Sequence, residues 1–112
     1  MTKIEAYIRT HLLEAVHHAL DELHVHGMTV IDVRGMGSSK GVHHLYRGSE
    51  YTLTLTPRLK LEIVVNDDQV EEVVEAIRKA SYTGEVGDGK ILTVSLGQVV
   101  RIRTGEKGEG AL

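Results

Sequence analysis

Three glycines and a lysine lie close together in residues 84–90, which read Gly-Glu-Val-Gly-Asp-Gly-Lys. Glycine readily adopts positive φ angles, so the backbone N–H groups of such a segment can converge on an anion. Lys90, at the end of the segment, offers a positive charge to a phosphate group. The pattern therefore predicts a phosphate-binding loop, although a plain turn between a helix and a strand would use the same glycines.

Two arginines follow near the end of the chain. Arg101 and Arg103 are two positions apart, so a strand over residues 99–102 would place both guanidinium groups on one side. Such a pair suits a polyphosphate, although taken alone it is better explained as a solvated edge strand. The earlier segment 35–41 does not fit a Rossmann or Walker loop, because Lys40 occupies the sixth position of G-x-G-x-x-G and no helical pattern follows.

Seven histidines are many for a chain of this size. His24 and His26 alternate, His43 and His44 are adjacent, and imidazole pairs of this kind can bind zinc, copper or nickel. The chain has no cysteine, however, and no two histidines are four positions apart. We therefore interpret the histidines as surface residues and predict no metal site.

The composition narrows the class of protein. A chain of 112 residues fits one domain, and the four tyrosines are its only aromatic residues, so the core must be aliphatic. A net charge of −3 argues against nucleic-acid binding. Without cysteine there are no disulfides or thiolate sites, and no apolar run approaches the roughly 20 residues needed for membrane insertion. Residues 1–5 carry no signal-peptide core, so we expect a cytoplasmic protein.

The elements that position these residues appear twice in the chain. Shifting the sequence by 57 positions aligns residues 3–9 with 60–66, and each of these strand patterns precedes an apolar stripe of helical spacing. The stripes consist of Leu12, Leu13, Val16, Leu20 and Leu23 in the first helix, and of Val70, Val73, Val74 and Ile77 in the second. Asn66, Asp67 or Asp68 can cap the second helix.

A further strand follows each helix, at residues 28–33 and 90–96. The order predicts an α+β fold, the ferredoxin-like double βαβ unit, with an antiparallel sheet and two helices on one face. The other face has no helices, so we expect it to pack against other subunits in a dimer or trimer. Residues 36–56 form an insertion of about twenty residues between the halves, and long loops of this kind are usually functional or disordered. Pro57 is expected to end the segment before the second half.

Three segments in the correct order resemble the PII nitrogen-regulatory signal-transduction proteins, including the divergent PII-like branches of that family. They are residues 46–51 (Tyr-Arg-Gly-Ser-Glu-Tyr), 83–91 and 99–106, and the similarity extends over essentially the whole chain. The resemblance implies a single domain over residues 1–112 that forms a homotrimer. It also implies a long T-loop at about 37–55 between the second and third strands, a B-loop at about 82–90 and a C-loop at about 102–109.

The resemblance further implies that ATP or ADP binds in the clefts between subunits. The implied nucleotide contacts are Thr29, Gly35, Gly37, Ser38, Glu62, Val64, Gly87, Asp88, Gly89, Lys90, Arg101 and Arg103. The two arginines would come from the adjacent subunit. The implied effector contacts are Ser39, Lys40, Gly41 and Arg58, and Tyr51 occupies the position that some family members modify.

Two substitutions bear on the ligand. Family members that sense 2-oxoglutarate typically carry glutamine where this chain has Ser39, and that side chain helps to hold the Mg²⁺ that bridges ATP and the oxo-acid. The lysine that commonly meets the oxo-acid is Arg58 here, which preserves charge but not geometry. The resemblance thus supports nucleotide binding, with Mg²⁺ as an accompanying ion, while Ser39 argues against 2-oxoglutarate sensing.

The resulting hypothesis is a non-enzymatic regulator, without catalytic residues, that acts on a partner in nitrogen metabolism or transport through its T-loop. Two alternatives remain open at this point. The trimer could instead sense another small molecule or a metal ion, the latter through His43 and His44. It could also be a slow nucleotide hydrolase, for which Glu62, Asp88 and Glu106 are the available acidic residues.

Overall fold

The computed structural model describes the backbone of residues 1–35, 43–46, 49–52 and 55–112, and the side chains of residues 1–35 and 55–112. Its strands and helices, in chain order, are β1 (Thr2–Ile8), α1 (Leu13–Glu22), β2 (Thr29–Gly35), β3 (His43–Tyr46), β4 (Ser49–Thr52), β5 (Thr56–Val65), α2 (Val70–Ser81) and β6 (Lys90–Ser95). Short 3-10 turns lie before α1, before α2 and near the end of the chain.

Four strands form an antiparallel sheet in the order β2-β5-β1-β6. Each half of the chain contributes a strand, a helix and a second strand, so the predicted ferredoxin-like double βαβ unit is confirmed. The predicted T-loop, residues 37–55, falls in the segment between β2 and β5. It contains an antiparallel pair of its own, β3 with β4, in which His44 lies opposite Tyr51.

The core lies between this sheet and the two helices. Alternate residues of β1 (Ile4, Ala6 and Ile8) are buried, as are Leu59, Leu61, Ile63 and Val65 of β5. Val16 and Leu20 of α1 and Val73 and Ile77 of α2 cover them. Within the described part of the chain every core residue is aliphatic, as the composition predicts.

The apolar stripes coincide with the helices, except that Leu12 lies in the 3-10 turn before α1 and Leu23 directly follows α1. Leu13 and Leu23 of the first stripe and Val70 and Val74 of the second pack against the core, where they are partly buried. Asn66 stands before the 3-10 turn that leads into α2: its backbone N–H donates to Oε1 of Gln69 at 3.3 Å, and its carbonyl oxygen accepts from the Gln69 N–H at 2.9 Å. Of the three predicted capping residues, Asn66 is therefore the one that begins the helical segment.

The face of the sheet without helices carries four charged side chains at its centre. Lys3 Nζ lies 2.9 Å from Glu5 Oε1 and 3.4 Å from Glu62 Oε2, and Lys60 Nζ lies 3.6 Å from a carboxylate oxygen of each of these glutamates. Hydrogen bonding to Lys3 lowers the pKa of Glu5, and hydrogen bonding to Glu5 raises the pKa of Lys3. We call these four residues the charge quartet.

Two expectations about the strands are wrong. No strand forms at residues 99–102: Val100 makes one isolated bridge to Lys107, and the intervening chain turns back on itself. The Arg101 N–H donates to the Glu106 carbonyl at 2.9 Å, the Gly105 N–H donates to the Arg101 carbonyl at 2.8 Å, and Gly105 has a φ of +73°. Arg101 and Arg103 are thus turn residues, because glycine at position 105 permits the reversal that a strand would exclude.

Pro57 does not end the preceding segment but is the second residue of β5. The register of β1 with β5 stops at Leu59, so at Pro57 the strand pairs only with β2, where it lies opposite Arg34. Because β5 has a neighbour on one side only at this position, the missing N–H of proline is tolerated.

Candidate functional site

A cavity of about 820 Å³ opens where β1 and β2 end and β5 and β6 begin. The ends of the strands and the loop before β6 enclose it together. Its lining consists of Tyr7, Val33, Arg34, Gly35, Thr56, Arg58, Glu85, Val86, Gly87, Asp88, Gly89, Lys90 and Leu92. Much of this lining comes from the glycine-rich segment 84–90, which connects α2 to β6.

The glycines of this segment are required by the backbone. Gly84, Gly87 and Gly89 have φ angles of +87°, +98° and +105°. A Cβ atom at Gly89 would lie 1.8 Å from the carbonyl oxygen of Tyr7, so the loop passes directly against β1. The segment therefore forms the turn between a helix and a strand that the sequence allows as an alternative. It also forms one wall of the cavity.

Asp88 holds the beginning of the loop. Its Oδ2 accepts hydrogen bonds from the backbone N–H groups of Thr83, at 2.8 Å, and Gly84, at 2.9 Å. Its Oδ1 accepts from the Thr83 hydroxyl and, at 3.1 Å, from Nε of Arg9. These donors, the Thr83 hydroxyl foremost, hold the pKa of Asp88 well below its usual range. Asp88 thus stays ionised and fixes residues 83 and 84.

Three cationic side chains line the cavity. Arg58 donates from Nη2 to the carbonyl oxygen of Gly87 at 2.7 Å, and Arg34 and Lys90 lie at the ends of β2 and β6. Glu85 also lines it, and the negative charge of Asp88 is paired with Arg9. Among the hydrogen bonds of residues 1–35 and 55–112, none is donated by the backbone N–H groups of Val86, Gly87 or Gly89. The cavity therefore offers cations and backbone donors, which is the chemistry of an anion site.

Five of the twelve predicted nucleotide contacts line this cavity. Gly35, Gly87, Asp88, Gly89 and Lys90 line it together with Arg58, the predicted effector contact. Thr29 and Glu62 lie opposite each other in the register of β2 with β5, and Val64 lies opposite Lys3. These three residues share the open face of the sheet with the cavity but do not line it.

The two arginines of the C-terminal segment do not line the cavity of their own chain. Arg101 donates from Nη1 to Glu106 Oε1 at 3.3 Å and from Nη2 to the Leu112 carbonyl at 3.1 Å, and Arg103 is exposed. Gly37, Ser38, Ser39, Lys40 and Gly41 lie outside the described residues. Tyr51 is placed on β4 by its backbone, and its side chain lies outside the description.

Sequence reasoning missed Tyr7, Arg9, Arg34 and Glu85. The alternation of β1 could have indicated Tyr7: Ile4, Ala6 and Ile8 are buried, so Tyr7 must share the open face with Lys3 and Glu5. The register then places Tyr7 opposite Lys90. Arg9 follows the end of the strand, and no local pattern connects it with a loop 77 residues further along the chain.

The part of the chain that the structure describes contains neither a metal-binding cluster nor a membrane-spanning helix. Among the residues whose side chains are described, no three histidine or acidic side chains are grouped so that they could hold a metal ion. In the same part of the chain, no helix has the length and apolar character needed to cross a bilayer.

Comparison with known proteins decides the family. The family model for nitrogen regulatory protein P-II matches residues 1–106. The chain is 49% identical to nitrogen regulatory protein P-II of Mesorhizobium japonicum over the full length of both proteins. It is 50% identical to nitrogen regulatory protein P-II 2 of Methanothermobacter thermautotrophicus, over all of this chain and 97% of that protein. It is 44% identical to nitrogen regulatory protein GlnK of Escherichia coli K12 over the full length of both.

The chain belongs to the P-II family. The resemblance seen in the sequence is thereby confirmed. The P-II relatives are named regulatory proteins, so this chain is a regulator of nitrogen signalling and not an enzyme.

The geometry of this P-II protein also speaks against hydrolysis. Asp88 accepts bonds from Thr83, Gly84 and Arg9, and a carboxylate with a lowered pKa is a poor general base. Glu62 is paired with two lysines of the charge quartet, and Glu106 is paired with Arg101. The three acidic residues that the sequence suggested for a hydrolase are therefore each engaged in other interactions.

Proposed function

We propose that this P-II protein binds ATP and ADP in the cavity beside the glycine-rich loop and signals the bound nucleotide to a partner protein. The observation that supports this most directly is the combination of the loop 84–89 with Lys90, Arg34 and Arg58 around one cavity. A volume of about 820 Å³ falls in the range typical of small-molecule sites. The backbone donors of the loop and the three cations suit a polyphosphate.

The nucleotide-binding unit in this proposal is a homotrimer. The charge quartet is neutral in sum, and the open face around it carries the apolar side chains of Ile31, Val33, Leu92 and Val94. Paired charges with an apolar surround can be buried against another subunit, because no charge is left without a partner. In the trimer, Arg101 and Arg103 of one subunit complete the cavity of its neighbour.

The signal passes to the partner through the T-loop, residues 37–55. A loop that begins beside the cavity changes its preferred conformation when the γ-phosphate is present or absent, and the partner selects one of the two states. The partner is an enzyme or a transporter of nitrogen metabolism, and the protein acts in the cytoplasm. Mg²⁺ accompanies ATP through its phosphate oxygens, since no metal cluster is found among the described side chains.

Calorimetric titration with ATP and ADP tests nucleotide binding. We expect micromolar affinity, on the order of −8 kcal/mol, for the wild-type protein. Lys90→Ala should weaken ATP binding by roughly ten- to a hundredfold, because a phosphate loses a charged hydrogen bond. Lys79→Ala is the matched control, since Lys79 lies in the last turn of α2, outside the cavity. Equal affinities of the Lys90 and Lys79 variants would contradict the assignment of the cavity.

Repeating the ATP titration with Mg²⁺ and 2-oxoglutarate tests whether the oxo-acid changes the affinity for ATP. Arg58 already donates a hydrogen bond to the Gly87 carbonyl oxygen. The side chain of Ser39 is shorter than the glutamine side chain that oxo-acid sensors carry at this position. We therefore expect the oxo-acid to change ATP affinity by less than about tenfold, or 1.4 kcal/mol. Ser39→Gln should increase this coupling. Strong synergy in the wild-type protein would show that it senses 2-oxoglutarate.

A further inference from the structure

Arg9 reaches from the end of β1 to the glycine-rich loop. Its Nε donates to Asp88 Oδ1 at 3.1 Å and its Nη2 donates to the Val86 carbonyl oxygen at 3.2 Å. The side chain is 22% exposed, and it does not line the cavity that the loop encloses. Arg9 therefore contacts the loop without being available to a ligand in the cavity.

A second guanidinium approaches the same loop from β5. Arg58 Nη2 donates to the Gly87 carbonyl oxygen at 2.7 Å, and Arg58, unlike Arg9, lines the cavity. A Cβ atom at Gly87 would lie 3.0 Å from Nη2 of Arg58 and 3.7 Å from Nη2 of Arg9. Both guanidinium groups thus lie beside Gly87, where an added side chain would crowd Arg58.

The bond from Arg9 fixes the direction of a backbone donor. The peptide unit between Val86 and Gly87 is trans, so its C=O and N–H groups point in opposite directions. With the Val86 carbonyl held by Arg9, the Gly87 N–H must point away from Arg9. The bond to Asp88 secures the same arginine to the residue that holds Thr83 and Gly84. One side chain therefore sets both the start of the loop and the peptide at its centre.

We propose that Arg9 is a positioning residue of the anion site: it orients the Val86–Gly87 peptide so that the Gly87 N–H is presented to a phosphate. This inference rests on the proposed nucleotide binding and names a residue that acts on the ligand only through the loop. Arg9 donates from two nitrogens of one planar guanidinium, a geometry that a lysine ammonium reproduces only in part.

The test compares Arg9→Met, Arg9→Lys and Arg78→Met with the wild-type protein. Arg78 is the matched control, because it is a surface arginine on α2 that donates both of its bonds to Glu75. Two readouts are taken: amide hydrogen exchange of residues 83–89 without nucleotide, and calorimetric ATP affinity. The exchange of the α2 amides serves as an internal check that the fold is intact.

Arg9→Met is expected to accelerate exchange at Thr83 and Gly84 and to weaken ATP binding by about tenfold, with α2 unchanged. Arg9→Lys should recover part of both effects, and Arg78→Met should behave as the wild type. The inference is overturned if the loop amides of Arg9→Met exchange at the wild-type rate and its ATP affinity stays within twofold of the wild type. It is also overturned if the α2 amides of Arg9→Met lose protection together with the loop. If the wild-type protein binds neither ATP nor ADP, the proposed function fails, whereas the exchange measurement still decides whether Arg9 positions the loop.

Discussion

Gly89 illustrates how closely the loop and the sheet approach each other. An added Cβ would lie 1.8 Å from a backbone oxygen of Tyr7, which cannot move without disturbing the pairing of β1 with β6, and the φ of +105° is strained for any other residue. Backbone strain of this kind costs about 1–3 kcal/mol before the collision is counted. We predict that Gly89→Ala lowers the free energy of unfolding by at least that amount, as measured by urea denaturation.

The control for this prediction is Gly97→Ala. Gly97 has no heavy atom within 4 Å of its added Cβ, and its φ is not in the positive region. We expect a change within about 0.5 kcal/mol, as for ordinary surface positions. Similar losses of stability in both variants would contradict the reading of Gly89 as a site of close approach.

The lowered pKa of Asp88 predicts how the stability of the fold depends on pH. Its pKa is lowered in the folded chain, chiefly by the Thr83 hydroxyl, so its ionised form stabilises the fold at pH values above the unfolded-state pKa of about 4. This stabilisation is lost only as the pH falls through the lower folded value. We predict that the Asp88 carboxyl resonance, followed by NMR, does not titrate between pH 7 and pH 4.

Thr83→Val removes the largest cause of this shift and leaves the backbone donors in place. The Asp88 midpoint should therefore move upward, towards its ordinary value. Thr104→Val is the control, because its hydroxyl accepts from the Glu106 N–H in the C-terminal turn and does not contact Asp88. If Thr83→Val leaves the titration midpoint of Asp88 unchanged, the Thr83 hydroxyl is excluded as the cause of the lowered pKa.

At the scale of the elements, α2 depends on a narrow apolar stripe. Val73 and Ile77 are fully buried against the sheet, while the opposite side of the helix carries acidic and basic residues. We predict that Ile77→Ala lowers the free energy of unfolding by about 2–5 kcal/mol, because it removes apolar contacts and leaves a cavity. Ile102→Ala makes the same change at a side chain that is 99% exposed, and should cost less than about 0.5 kcal/mol. Urea unfolding of both variants measures the difference.

At the scale of the whole molecule, the open face of the sheet predicts assembly. Val94 lies opposite Lys3 on that face and is 43% exposed, whereas Val30 is 41% exposed but lies opposite Leu61, on the side of the helices. We predict that Val94→Glu dissociates the proposed trimer, because it adds an unbalanced negative charge beside the neutral charge quartet in the interface. Val30→Glu should remain trimeric by light scattering. A monomeric mass for the wild-type protein at micromolar concentration would refute the trimer itself.

The sequence alone determined the elements and their class. Residue alternation in β1 and β5 and the three-to-four spacing in α1 and α2 are local periodicities, and each gives a buried face whichever partner covers it. Two such halves suffice to predict the double βαβ unit. The glycines of residues 84–90 could also be read locally, because positive φ angles are a requirement of the backbone at each position.

Only the tertiary structure decided what surrounds those glycines. Arg9 and Arg58 reach the loop from 77 and 29 residues away, and no local preference links such distant positions. The strand expected at residues 99–102 was wrong for a related reason: a strand needs a neighbouring strand to pair with, and there Arg101 pairs instead with Glu106 across a glycine turn. Local periodicity thus defines which face of each element is buried, whereas the contacts that build the proposed anion site exist only after the strands have found their register.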